Sequence, residues 1–110
     1  MISLLPYEKD INKIRSQLIE KFNPIDIILF GSCAKKRVRR GSDIDLCIII
    51  STKNKRETTM EMYLAIESDI DIDFVLFTPD EWLTYKEDLT TFAGLIHRTG
   101  VSILDRYSEI

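Results

Sequence analysis

Residues 27–50 read IILFGSCAKKRVRRGSDIDLCIII. Two apolar runs, 27–30 and 46–50, are separated by a Gly-Ser turn, a basic segment, and two aspartates that open the second run at alternate positions. If both runs are strands, alternation places Asp43 and Asp45 on one face and Ile44 and Leu46 on the other. Two carboxylates on one side of one strand repel each other, and any burial adds to the cost. A divalent metal ion is the simplest relief.

Outward from this stretch, apolar residues Tyr7, Ile11, Ile14, Leu18 and Phe22 recur at spacings of three and four, which predicts an amphipathic helix over 7–22 with Arg15 among its polar residues. Asn23-Pro24 ends it, because proline disfavours helical geometry in the residue before it. A largely buried strand is expected over 25–30, a short helix or turn over 32–38, a break at Gly41-Ser42 and a second strand over 43–50. A polar, basic loop at 51–56 precedes a helix over 57–68 bordered by Met60, Tyr63 and Leu64.

The run SDIDIDFVLF alternates Asp69, Asp71 and Asp73 with Ile70, Ile72 and Phe74. That period of two predicts a strand with acids on one face, Asp69 falling in the preceding turn. Thr78-Pro79-Asp80-Glu81 is a helix start, with a capping threonine, proline at the first helical position and glutamate three residues after the cap. Trp82, Leu83 and Tyr85 are expected on its apolar side. A last helix over 90–98, carrying Phe92, Leu95 and Ile96, ends at Gly100, and a short strand over 101–104 precedes a frayed tail. The order is that of an α/β (α+β) protein, a small sheet flanked by helices.

At 110 residues the chain is expected to be one domain, 1–110, with too little room for a separate acceptor-binding domain. Net charge is −3, so nothing draws the whole molecule to nucleic acid. The basic charge is local: more than half of the 15 Lys and Arg residues lie between positions 35 and 56. Cys33 and Cys47 make no disulfide framework and lack metal-ligand spacing with His97. With no signal-like N-terminus and no apolar run long enough for a membrane helix, a cytoplasmic protein is expected.

The chemistry gathers at three places. A Gly-Ser turn that ends a buried strand can offer backbone N–H groups and a hydroxyl to a phosphate, although it is also a common turn without a ligand. Asp43-x-Asp45 places two hard oxygen donors beside that turn, as Mg²⁺ with a bound triphosphate requires; a solvated strand end is the plain alternative. Asp73 is the candidate third carboxylate, as general base or metal ligand, with Asp71 its competitor one step earlier on the same face. The basic segment 35–40 has three readings: phosphate binding, contact with RNA or an acidic partner, or a solvated face without aromatic residues to stack bases. Met60, Met62, Tyr63, Trp82 and Tyr85 read as core or partner contacts, and His97 as structural or exposed.

Gly31-Ser32, then ten residues, then Asp43-x-Asp45, then a later Ile-Asp-Phe-Val strand at 72–75, resembles the signature of the minimal nucleotidyltransferases of the DNA polymerase beta-like superfamily, over about residues 25–105. The resemblance implies a nucleotidyltransferase fold with a small mixed sheet. It implies that Asp43, Asp45 and Asp73 hold Mg²⁺, two ions being expected, and that Gly31, Ser32, Lys35 and Ser42 contact the nucleotide. It further implies an antitoxin, paired with an all-helical HEPN-domain toxin in a homo- or hetero-oligomer, that moves AMP from ATP to a tyrosine of the toxin. The chain departs from the family pattern at Cys33 and Lys36, where members often carry Arg and Gly, which leaves Lys35, Lys36 and Arg37 to meet phosphate as flexible point charges. Two other roles fit the same residues: an antitoxin that neutralises its partner by occlusion alone, and a nucleotidyltransferase whose acceptor is a small molecule such as an aminoglycoside or an RNA 3′ end.

Overall fold

A computed structural model describes residues 7–31 and 43–104. The expected short helix over 32–38, the break at Gly41-Ser42 and the tail 105–110 lie outside these residues. In chain order the elements are α1 (Glu8–Phe22), β1 (Asp26–Phe30), β2 (Ile44–Ile49), α2 (Lys55–Ala65), β3 (Ile72–Phe77), α3 (Pro79–Tyr85), α4 (Phe92–Thr99) and β4 (Val101–Ser102). They form an α+β structure around one mixed sheet of strand order β3-β2-β1-β4. β1 is antiparallel to both β2 and β4, while β2 and β3 run parallel.

Local chemistry sets the boundaries. α1 ends at Asn23, which adopts the left-handed conformation at φ 49° and donates its N–H to the Leu18 and Ile19 carbonyls. α3 starts with a full capping box: Thr78 Oγ1 accepts from the Glu81 N–H, and Glu81 Oε1 accepts from the Thr78 N–H. Thr91 caps α4 by accepting from the Gly94 N–H. α2 begins at Lys55, inside the expected 51–56 loop, because the Asn54 side chain accepts from the Glu57 N–H. An asparagine is as good a cap as any residue, and it moves the helix start two residues earlier.

The sheet is covered on both faces. On one, Ile27, Leu29, Ile44, Leu46, Ile48, Phe74 and Leu76 pack against Ile11, Ile14 and Leu18 of α1 and Met62 of α2. On the other, Ile28, Cys47 and Ile49 meet Trp82 of α3 and Ala93 and Ile96 of α4. Two sets of residues break the simple periodic reading. Arg15 is not on a polar face: it is buried, and its guanidinium donates to the Ile103 carbonyl at 3.0 Å, joining α1 to the segment after β4. A long side chain with several donors can be buried where a carbonyl waits for it, which apolar periodicity does not register.

The short helices also turn differently from expectation. In α2 the inward residue is Met62, while Met60, Tyr63 and Leu64 are exposed. In α3 only Trp82 is buried, with Leu83 and Tyr85 exposed. In α4 the buried residues are Ala93, Gly94 and Ile96, and Phe92 and Leu95 stand outward. A helix of two or three turns that packs one side on a sheet offers only a narrow stripe to it, so large apolar residues to either side of the stripe remain outside. Small residues bring α4 close: a Cβ on Gly100 at its end would lie 2.6 Å from Ile28 Cγ2 and 2.7 Å from the Ile96 carbonyl oxygen.

Candidate active site

The register of β2 against its two neighbours decides where the acids lie. Asp45 stands opposite Phe30 of β1 on one side and opposite Asp73 of β3 on the other. Asp43, two residues before Asp45, precedes the strand and shares the face by alternation. Parallel pairing of β2 with β3 therefore brings Asp45 and Asp73, 28 positions apart in sequence, onto one patch. The patch opens at the end of the sheet where β1 finishes and β2 and β3 begin.

The three carboxylates lie close enough to interact. The Asp45 carboxyl is pushed up from 3.8 to about 6, first by burial, then by the charges of Asp73 and Asp43 and by a hydrogen bond with Asp73. A proton shared between facing carboxyls is the metal-free answer to like charges held close. Asp71 does not take part in this way: it lies just ahead of β3, short of the position opposite Asp45, and its carbonyl accepts from the Ile44 N–H at 2.9 Å. Of the two competitors for a third acid, Asp73 is the one in register with Asp45. Asp69 sits in a bend before the strand, as expected.

Gly31 follows β1 directly and is built around the same carboxylate. Its φ is +72°, in the left-handed region, and a Cβ there would overlap Asp45 Oδ2 and stand 3.1 Å from Asp45 Cγ. Only glycine lets the chain turn there with Asp45 in place. The other expected nucleotide contacts, Ser32, Lys35 and Ser42, lie outside the described residues, as do Cys33, Lys36 and Arg37.

The donor set fits a divalent cation chemically, since all three groups are hard oxygens and a cation removes the repulsion among them. Among the described residues no group of three or more His, Cys, Asp or Glu side chains would hold a metal ion by itself. Mg²⁺ suits such a partial set, because it keeps waters and takes one or two carboxylates together with substrate phosphates.

Beside the carboxylates is a cavity of about 440 Å³, bordered by Asp43, Asp71 and Asp73 and by Tyr63 and Ser68. Tyr63 Oη accepts the Phe74 N–H at 2.9 Å, and the ring lies edge-on to Phe74 with centroids 5.0 Å apart. Sequence reasoning took Tyr63 for a core or partner residue and missed this position. Nothing in the α2 pattern signals it: the tyrosine reaches the site only because β3 is an edge strand whose outward N–H needs an acceptor. His97 is exposed on α4, its ring edge-on to Trp82, away from the carboxylates.

This order of glycine turn, paired acids on one strand and a third acid on its parallel neighbour extends through a sequence match: the family described as polymerase beta, nucleotidyltransferase covers residues 12–107. The chain belongs to that family. No curated protein matches it. Membership in the polymerase beta nucleotidyltransferase family makes nucleotidyl transfer the general activity, a reaction that uses a nucleoside triphosphate and a divalent metal ion. As a structural arrangement alone, the clustering of Asp43, Asp45 and Asp73 costs stability. Among the described residues no helix is long and apolar enough to cross a membrane.

Proposed function

We propose that the chain is a Mg²⁺-dependent nucleotidyltransferase that moves AMP from ATP to a tyrosine hydroxyl of a HEPN-domain toxin and so acts as its antitoxin. The observation that carries the transfer chemistry is Asp45 facing Asp73 in register, with Asp43 close enough to raise the Asp45 pKa further. Asp43 and Asp45 would hold the metal, with Asp73 as third ligand or general base. When bound, the cation neutralises triphosphate charge and favours the ionised form of the attacking hydroxyl.

The chain's own residues account for the remaining work. Gly31, with Ser32, Lys35 and Ser42, holds the triphosphate against the end of β1. The acceptor oxygen attacks the α-phosphorus, the bond to the bridging oxygen of pyrophosphate breaks, and the acceptor's proton passes to Asp73. A protein acceptor is supported by the exposed apolar residues that begin next to the site. Phe92 packs edge-on against Phe30, the residue opposite Asp45, and Phe92, Leu95 and Leu89 leave an apolar surface for a partner.

The test is incubation with ATP labelled at the α-phosphate, Mg²⁺ and the toxin, beside the Asp43→Asn/Asp45→Asn double variant. Label is expected on the toxin with the native chain and lost with the variant. Transfer that persists in the variant overturns the assignment of the acids. A variant that transfers no label yet still silences the toxin moves the biological role from catalysis to occlusion.

A further inference from the structure

The sheet carries a second polar cavity that nucleotidyl transfer leaves unused. It lies at the opposite end of β1. Asp26 at this end stands opposite Ile49, whereas Phe30 at the other end stands opposite Asp45, so the two sites are separated by roughly 13 Å of strand. The cavity measures about 320 Å³, within the range of small-ligand pockets. Its floor is Ile28 and Asp26, one side is Ser102 of β4, and the other is formed where α3 and α4 end, by Trp82, Lys86 and His97.

Asp26 and Lys86, two of the groups that line it, carry opposite charges yet form no ion pair with each other. Asp26 Oδ1 accepts the Ile27 N–H at 2.8 Å and the Ser102 hydroxyl at 2.6 Å, which fixes the carboxylate and leaves Oδ2 with no donor among the described residues. Across the cavity, Lys86 is the residue that caps α3, and His97 is fixed edge-on to Trp82 with ring centroids 5.7 Å apart. Neither the Lys86 ammonium nor the His97 ring nitrogens make a hydrogen bond or ion pair with a described residue; the ion pair among these residues joins Lys55 and Glu81 instead. Positions at helix C-termini explain why cationic side chains are favourable there. They do not explain why Lys86 and the His97 imidazole both line a cavity that also contains a fixed carboxylate.

We propose that this cavity binds a small zwitterion of the α-amino-acid type. The ligand's ammonium group meets Asp26, its carboxylate lies between Lys86 and His97, and its carbon skeleton rests on Ile28 and Trp82. A simple anion entering the cavity meets the Asp26 charge, and a simple cation meets Lys86, so either leaves one partly desolvated charge unmatched. A nucleotide carries several negative charges and meets the same obstacle. A molecule with one charge of each sign answers every group. Binding here needs neither metal nor nucleotide and stands apart from the transfer reaction.

The experiment is a titration of the isotopically labelled full chain with each common L-amino acid in turn, followed by amide correlation spectra, with acetate and methylamine as controls of one charge. At least one amino acid is expected to give saturable shifts at Asp26, His97 and Ser102 and none at Asp43 or Asp45. Asp26→Asn and Lys86→Met are each expected to weaken it about ten-fold, or about 1.4 kcal/mol. The asparagine keeps an acceptor for the Ile27 N–H, and the lysine variant tests the opposite wall should the first disturb the fold. Absence of saturable shifts with every amino acid overturns the proposal. So do equal shifts from acetate or methylamine, or unchanged affinity in both variants.

Discussion

The two ends of β2 are solved by opposite means. From Leu46 to Ile49 every side chain is buried, alternately against the α1 and α2 face and against the α3 and α4 face. One residue before Leu46, Asp45 is only partly buried and faces two like charges. The apolar end gains about 1.5–3 kcal/mol for each fully buried aliphatic side chain, while the acidic end costs stability unless a proton or a cation is present. A strand can therefore carry a strained site at one end because the other end anchors its register. Slipping β2 by a single residue would exchange its faces and bury the acids.

The largest effect should come from the anchor. Ile48 is fully buried, and Ile48→Ala is expected to cost about 2–5 kcal/mol in urea denaturation. A loss below about 1 kcal/mol would mean that the register is held elsewhere. Next is Gly31→Ala, which combines a left-handed backbone with contact on Asp45. It should cost about 1–3 kcal/mol. Adding Asp45→Ala to it should return part of that cost, a coupling that a double-mutant cycle reads directly.

A smaller effect, of the opposite sign, is expected at the acidic end. In the folded chain Asp45 keeps its proton up to about pH 6, whereas the unfolded chain releases it near 3.8. The folded state thus binds more protons between these values. Metal-free stability should be full below about pH 4 and fall as pH rises through about 6, by about 1 kcal/mol once solvent screening of a half-exposed group is allowed for. Asp45→Asn should remove that fall, raise the metal-free melting temperature at pH 7 and abolish any rise that Mg²⁺ gives the native chain. A pH profile unchanged by the substitution would show that the acids do not strain the fold. The smallest change is expected at Cys47, two residues on, whose thiol is pushed up to about 12 by burial and by Asp26. In a Cys33→Ser background it should resist alkylation at mildly alkaline pH until the chain unfolds.

The elements of this comparison differ in how far sequence revealed them. Asp43, Asp45 and Asp73 could be picked out because alternation within a strand is local, and the succession of elements along the chain followed from the apolar runs and caps. Pairing is not local. That Asp73 and not Asp71 faces Asp45 depends on the β2–β3 register, which no single segment encodes. Tyr63 was hidden for the same reason, since its role depends on β3 lying at an edge. Arg15 was misplaced because helical periodicity records polarity and not the presence of a distant acceptor. The second cavity draws on β1, β4, α3 and α4 together, so His97 and Lys86 offered no sign of it in isolation.

The bond from Arg15 to Ile103 spans 88 positions, and β4 pairs with β1 although β2 and β3 lie between them in sequence. During synthesis, α1 and β1 emerge long before either partner exists. Until residue 103 leaves the ribosome, one edge of β1 stays open and a guanidinium meant for the interior lacks that acceptor. The nascent protein must hold an inner strand half-paired, so residues 101–103 close that edge of β1 only after β2 and β3 have been made.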